Sequence, residues 1–151
     1  MKKLFLFATL AFFAFTSNAQ ELNFEETVKY INEKIKCCNY FSDNKNDTIT
    51  VSKNGVLLKW YNQQQFFQNL FELMNSKSFK PHDDREELLL ESNGILLYEF
   101  AKANFGVSLL QSREKELHIG QFITKLDAER VYKALIHLRS LCTKEKDPFD
   151  N

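Results

Sequence analysis

Thr48-Ile49-Thr50-Val51-Ser52-Lys53-Asn54-Gly55-Val56-Leu57-Leu58-Lys59-Trp60-Tyr61 is the stretch that decides the fold class. Ile49 and Val51 alternate with Thr48, Thr50 and Ser52, and the run Val56 to Tyr61 places Val56, Leu58 and Trp60 on one face. A period of two marks a strand with one covered face. Asn54-Gly55 between two such runs predicts a hairpin, because both residues tolerate the positive φ of a type I′ turn. Asn93-Gly94 repeats the device between Leu88 to Ser92 and Ile95 to Phe100. Phe105 to Gln111 and Glu116 to Ile123 read as two further strands around the polar turn Ser112 to Lys115, with Leu117, Ile119 and Ile123 on one face. The middle of the chain is therefore antiparallel β.

Helices flank it. Asn23 and Glu26 form an Asn-type capping box, after which Phe24, Val28, Ile31, Ile35 and Cys38 recur at steps of three or four. Near the other end, Thr124 and Asp127 offer capping oxygens, and Ala128, Val131, Leu135, Leu138 and Cys142 form a stripe flanked by Tyr132 and Ile136, so Leu126 to Thr143 is a second amphipathic helix. Asp147-Pro148 marks its end. Within Gln63 to Met74, Phe66, Phe67, Leu70, Phe71, Leu73 and Met74 match helical spacing, which favours a helix slightly, while the aromatic content suits a strand. Asn75 to Arg85 reads as a loop.

These elements make an α+β domain: an N-terminal helix, an antiparallel meander of six or seven strands, and a C-terminal amphipathic helix. A long meander leaves exposed edges, which curling into a barrel or half-barrel reduces, with a helix closing the open end. The element order over residues 48 to 143 resembles a pleckstrin-homology-type barrel; an open antiparallel sheet with helices on one face is the rival topology. The stretch Lys133-Ala134-Leu135-Ile136-His137-Leu138, with Cys142 and Asp147-Pro148-Phe149, resembles the ends of small exported Bacteroidetes proteins of unknown function. That resemblance implies export and adds no activity.

The N-terminus carries its own export signature. Met1-Lys2-Lys3 is a basic start, Leu4 to Phe15 is an uncharged apolar run, and Ser17-Asn18-Ala19 supplies the small residues a signal peptidase needs, so cleavage is expected before Gln20. The apolar run spans about 18 Å as a helix, short of the roughly 30 Å of a bilayer core. Residues 1–19 are thus read as a signal peptide and residues 20–151 as one globular domain, periplasmic or secreted, with no stable membrane span after cleavage. Lys+Arg 20 and Asp+Glu 20 balance, and loss of Lys2 and Lys3 leaves 18 against 20, so no nucleic acid partner is expected. With 44% hydrophobic residues, 4 Gly and 2 Pro, the chain is globular rather than disordered.

Chemical candidates are few. His82-Asp83-Asp84 are adjacent loop residues that seldom aim at one metal ion. His118 points away from the face of Leu117 and Ile119, and His137 flanks the terminal stripe; both are expected to be partly exposed. No phosphate loop, nucleophile elbow or zinc-protease pair is present, so no catalytic residue, metal site or cofactor is assigned. In an oxidising compartment Cys38 and Cys142, at the ends of the two helices, are a candidate disulfide, with two buried free thiols as the alternative. Asn46-Asp47-Thr48 fits an N-glycosylation acceptor, and Asp47-Thr48-Ile49 resembles the O-glycosylation acceptor of Bacteroidetes, with Thr48 as the modified residue. Trp60, Tyr61, Phe66, Phe67, Phe71 and Tyr98 are the candidate ligand or partner surface. The primary expectation is a non-catalytic exported module that binds an envelope or extracellular protein or peptide. Its alternative is a carrier of a small apolar ligand, with Phe66, Phe67, Phe71 and Tyr98 lining a cavity.

Overall fold

Asn23 starts the first helix as expected: its side chain accepts from the Glu26 amide at 3.0 Å, and the Glu26 carboxylate accepts from the Asn23 amide at 2.9 Å. The computed structural model describes residues 22–39, 47–61, 64–74, 85–100, 104–112 and 115–144. Helix α1 (Phe24–Cys38) buries Thr27, Ile31 and Ile35. Two antiparallel sheets follow, β1 (Thr48–Val51), β2 (Val56–Tyr61) and β3 (Gln64–Asn69) in one, and β4 (Arg85–Ser92), β5 (Ile95–Phe100), β6 (Asn104–Leu110) and β7 (Glu116–Phe122) in the other. Helix α2 (Lys125–Leu141) closes the order, capped by Thr124, whose hydroxyl accepts from the Asp127 amide at 3.1 Å. The α+β class holds, with the longer strand count.

The two Asn-Gly turns differ. At the second, Asn93 (φ 48°) and Gly94 (φ 82°) both adopt the left-handed conformation a type I′ turn requires. At the first only Gly55 does (φ 84°); its amide donates to the Ser52 carbonyl and the Ser52 amide donates to Val56, each at 2.9 Å, so the connection is a longer loop ending in one left-handed glycine.

The slight preference for a helix over Gln63 to Met74 is corrected, because Gln64–Asn69 is strand β3, paired residue by residue with β2 from Val56↔Asn69 to Tyr61↔Gln64. The apparent helical spacing comes from the adjacent aromatics Phe66 and Phe67, which a strand simply sends to opposite faces. The backbone groups along the second edge of β2 supply the hydrogen bonds that hold this segment as a strand.

A β-bulge corrects a second expectation. The β6·β7 register shifts between Val107 and Ser108, so the inward phase of β7 slips, burying Phe122 and leaving Ile123 62% exposed. Leu117, Ile119 and Phe122 therefore share the core with Ile31 and Ile35 of α1, Ile49, Leu57 and Leu70 of the first sheet, Ile95, Leu97, Val107 and Leu109 of the second, and Ala128, Val131, Leu135 and Leu138 of α2. One apolar cluster unites both sheets and both helices.

The expected barrel does not close: among the described residues no strand pairs β1 with β7 or β3 with β4. Side chains occupy the edges that closure would use. Asn32 of α1 both donates to the Ile49 carbonyl at 2.8 Å and accepts from the Ile49 amide at 2.7 Å, completing the outer edge of β1. On β7, Lys59 Nζ donates to the carbonyls of His118 and Ile119 at 2.9 and 2.8 Å, and Asn39 Oδ1 accepts from the Gln121 amide at 3.0 Å. Side-chain capping of this kind removes an edge without a further strand.

The helices lie antiparallel. Lys34 pairs with Asp127 at 2.8 Å near one end, and the Leu22 carbonyl lies 2.7 Å from His137 Nε2 near the other. Cys38 and Cys142 therefore lie at opposite ends of α2, whose 17 residues span about 25 Å. The candidate Cys38–Cys142 disulfide is corrected on that ground: Cys38 is bonded to Cys37, and Cys142 is the free thiol of the alternative reading, half-buried beside the Ser52 carbonyl.

Candidate functional site

The alternation along β2 carries a charge into the interior. Leu57 and Lys59 point inward with Ile49 of β1, and Lys59 is only 3% exposed. Its ammonium reaches two successive carbonyls of β7. In a regular strand these would point in opposite directions; the bulge in this part of β7 lets both face one donor. Asp47, two residues before Ile49, lies on the same side and is 6% exposed. Its Oδ1 is buried and has no hydrogen-bond partner.

These two residues line a cavity of about 290 Å³ between the sheets. Tyr61 of β2 and Phe66 of β3 form its aromatic wall, Glu116, Leu117, His118 and Gln121 of β7 the opposite one, and Asn39 adjoins from the end of α1. The Lys59 ammonium lies 5.4 Å from the Tyr61 ring centroid. Burial pulls the Lys59 amine down to about 8, against the opposing pull of the Asp47 charge. Burial likewise raises the Asp47 carboxyl, opposed by Lys59.

The Lys59 shift makes a pH prediction. An amine whose pKa falls on folding binds fewer protons folded than unfolded between about 8 and 10.5, so stability rises with pH across that window. Replacing Lys59 with Met removes that rise. Denaturant melts of both proteins between pH 7.5 and 10.5 should show the wild type gaining about 3 kcal/mol relative to Lys59→Met, at 1.36 kcal/mol per pKa unit. A constant difference across the range means that Lys59 titrates normally.

His118 does turn away from Leu117 and Ile119, and it is half-buried in a closed network: its Nδ1 lies 2.9 Å from the Tyr98 hydroxyl and 3.2 Å from Ser108 Oγ, which are themselves 3.2 Å apart. Ser108 is wholly buried and Tyr98 2% exposed, so the serine and tyrosine hold the imidazole ring away from solvent.

The six aromatic candidates are divided by the structure. Trp60 (39% exposed) and Phe67 (63% exposed) share the outer face of the first sheet with Leu58 and Val56, in which Leu58 pairs directly with Phe67. Tyr61 and Phe66 face the cavity. Phe71 is half-buried over Gly55, and Tyr98 belongs to a separate cluster with Leu96 and Leu110 on the second sheet. The expected apolar cavity lined by Phe66, Phe67, Phe71 and Tyr98 is therefore not formed, because strand alternation sends Phe66 and Phe67 to opposite faces. Thr48 is exposed at the start of β1, whereas Asn46, His82, Asp83, Asp84 and the N-terminal segment lie outside the described residues.

The sequence reading missed Asp47, Lys59, Asn39, Glu116 and Gln121. The one available signal was parity: a lysine in phase with Ile49 and Leu57 stands on the buried side. Among the described residues no group of three or more His, Cys, Asp or Glu could hold a metal ion, and no helix is long and apolar enough to cross a membrane. Comparison of the chain with family models, curated proteins and solved structures finds no match in any of the three.

Proposed function

We propose that the chain is an exported, non-catalytic module that takes an extended peptide or protein strand along the free edge of β3. The observation that carries this reading is an asymmetry of edges. Asn32 bonds the edge of β1, and Lys59 and Asn39 bond that of β7, whereas no described residue pairs with the far side of β3 or of β4, and of these two strands β4 is charged. Gln64-Gln65-Phe66-Phe67-Gln68-Asn69 carries no charge and no proline, the two features by which natural edge strands repel an added strand. Main-chain hydrogen bonds supply affinity in strand addition, and neighbouring side chains supply selectivity. Trp60 and Phe67, exposed on one face, are the aromatic anchors for the incoming chain.

A photo-crosslinking phenylalanine analogue at position 67, irradiated in the native cell envelope, should join one partner chain. The partner, once identified, should slow amide exchange in β3 of the purified module. Trp60→Ala and Phe67→Ala should each weaken binding by roughly 30-fold, the scale of a 2 kcal/mol hot spot, with the melting temperature unchanged. No adduct above that at a control site such as Glu33, or an adduct with no protection of β3, overturns the reading.

A further inference from the structure

We propose that the cavity between the sheets is a binding site for a small organic ammonium compound, held by Asp47 and packed against Tyr61 and Phe66. It shares Phe66 of β3 with the strand-binding reading but rests on Asp47 rather than on the free edge. Asp47 is 6% exposed, lines the cavity, and has an Oδ1 atom with no hydrogen-bond partner. A buried acceptor left without a donor is normally costly enough that native structures satisfy it. Lys59 does not fill the role, because its ammonium is turned to the carbonyls of His118 and Ile119.

The remaining lining selects the ligand's chemistry. Asp47 presents a buried carboxylate oxygen to the cavity, an acceptor that favours a cationic N–H donor over an anion. Tyr61 and Phe66, each 39% exposed, line the cavity and suit the apolar body of the ligand. At about 30 Å³ per water-sized group, 290 Å³ holds roughly ten non-hydrogen atoms, the size of an arylalkylamine. Burial raises the Asp47 carboxyl, and a bound ammonium would offset that effect by favouring the ionised form.

The test titrates full-length mature protein with 2-phenylethylammonium chloride and, separately, sodium phenylacetate, which has nearly the same size and the opposite charge. Amide chemical shifts and calorimetry are the readouts. The ammonium should shift the Asp47, Lys59 and Gln121 amides in a saturable way and bind at least tenfold more tightly than phenylacetate. Asp47→Asn, nearly the same shape, should lose at least tenfold of that affinity while retaining the wild-type near-ultraviolet spectrum. Equal binding of the two probes, shifts confined to other residues, or undiminished binding by folded Asp47→Asn overturns the proposal. Should Asp47→Asn fail to fold, the shift map and the charge preference of the wild type decide the matter.

Discussion

Leu135→Ala should lower the unfolding free energy by about 2 to 5 kcal/mol, a large part of the roughly 5 to 15 kcal/mol that holds a domain of this size. Leu135 is wholly buried in the apolar cluster, and α2 packs against α1 and against β5, β6 and β7, so truncation leaves a cavity between packed elements. A fall in melting temperature of roughly 10 °C is the corresponding thermal effect. Lys133→Ala, on the exposed side of the same helix, should change stability by less than 0.5 kcal/mol. Equilibrium denaturant melts followed by circular dichroism decide the matter, and a loss under 1 kcal/mol for Leu135→Ala would place α2 outside the core.

Gly106→Ala should cost about 3 kcal/mol or more, although it adds a single methyl group. Gly106 pairs with Tyr98 across β5 and β6, and a β-carbon built on it would overlap the Tyr98 ring, with the hydroxyl oxygen 2.5 Å away. The ring cannot yield easily, because Tyr98 is 2% exposed and its hydroxyl is held by Ser108 and His118. Overpacking a rigid core typically costs 1 to 3 kcal/mol, and each broken hydrogen bond adds about 1 kcal/mol. The mechanism has its own signature: in a Tyr98→Leu background the same Gly106→Ala change should cost much less, since the shorter side chain leaves room for the methyl. An additive double mutant would show that the clash lies elsewhere.

The fold was legible where local chemistry and tertiary demand coincide. The capping box at Asn23, the stripe of α2 and the type I′ turn at Asn93-Gly94 each depend on residues within a few positions of one another, and each forms as read. Segment 63–74 was hard because Phe66 and Phe67 are neighbours, and two adjacent apolar residues are compatible with either period. The bulge in β7 left no local mark, so Ile123 was assigned to the face that Phe122 takes.

The cavity was illegible for a related reason. Outward Val56, Leu58 and Trp60 are more apolar than inward Leu57, Lys59 and Tyr61, so hydrophobic alternation in β2 does not say which side is the core. Lysine in a strand ordinarily reads as a solvated face. Only the bulged edge of β7, contributed from some sixty residues away, gives Lys59 its two acceptors. The cysteines failed by direction: spacing places Cys38 and Cys142 at helix ends without revealing that the helices run antiparallel.

That antiparallel pairing governs the order in which the molecule can assemble. Each sheet is built from consecutive strands, so it can zip from its own turns, whereas Lys34 meets Asp127 across 93 positions and Leu22 meets His137 across 115. Contacts that close such long loops carry the greatest entropic burden and form late. In a chain emerging from its N-terminus, Ile31 and Ile35 of α1 are the first core residues to appear; β1 can pack on α1 early, but the packing against α2 waits for almost the last segment. The destabilisation of Leu135→Ala should accordingly appear as faster unfolding, with the refolding rate nearly unchanged. Until α2 arrives, the side of α1 that packs against it stays uncovered.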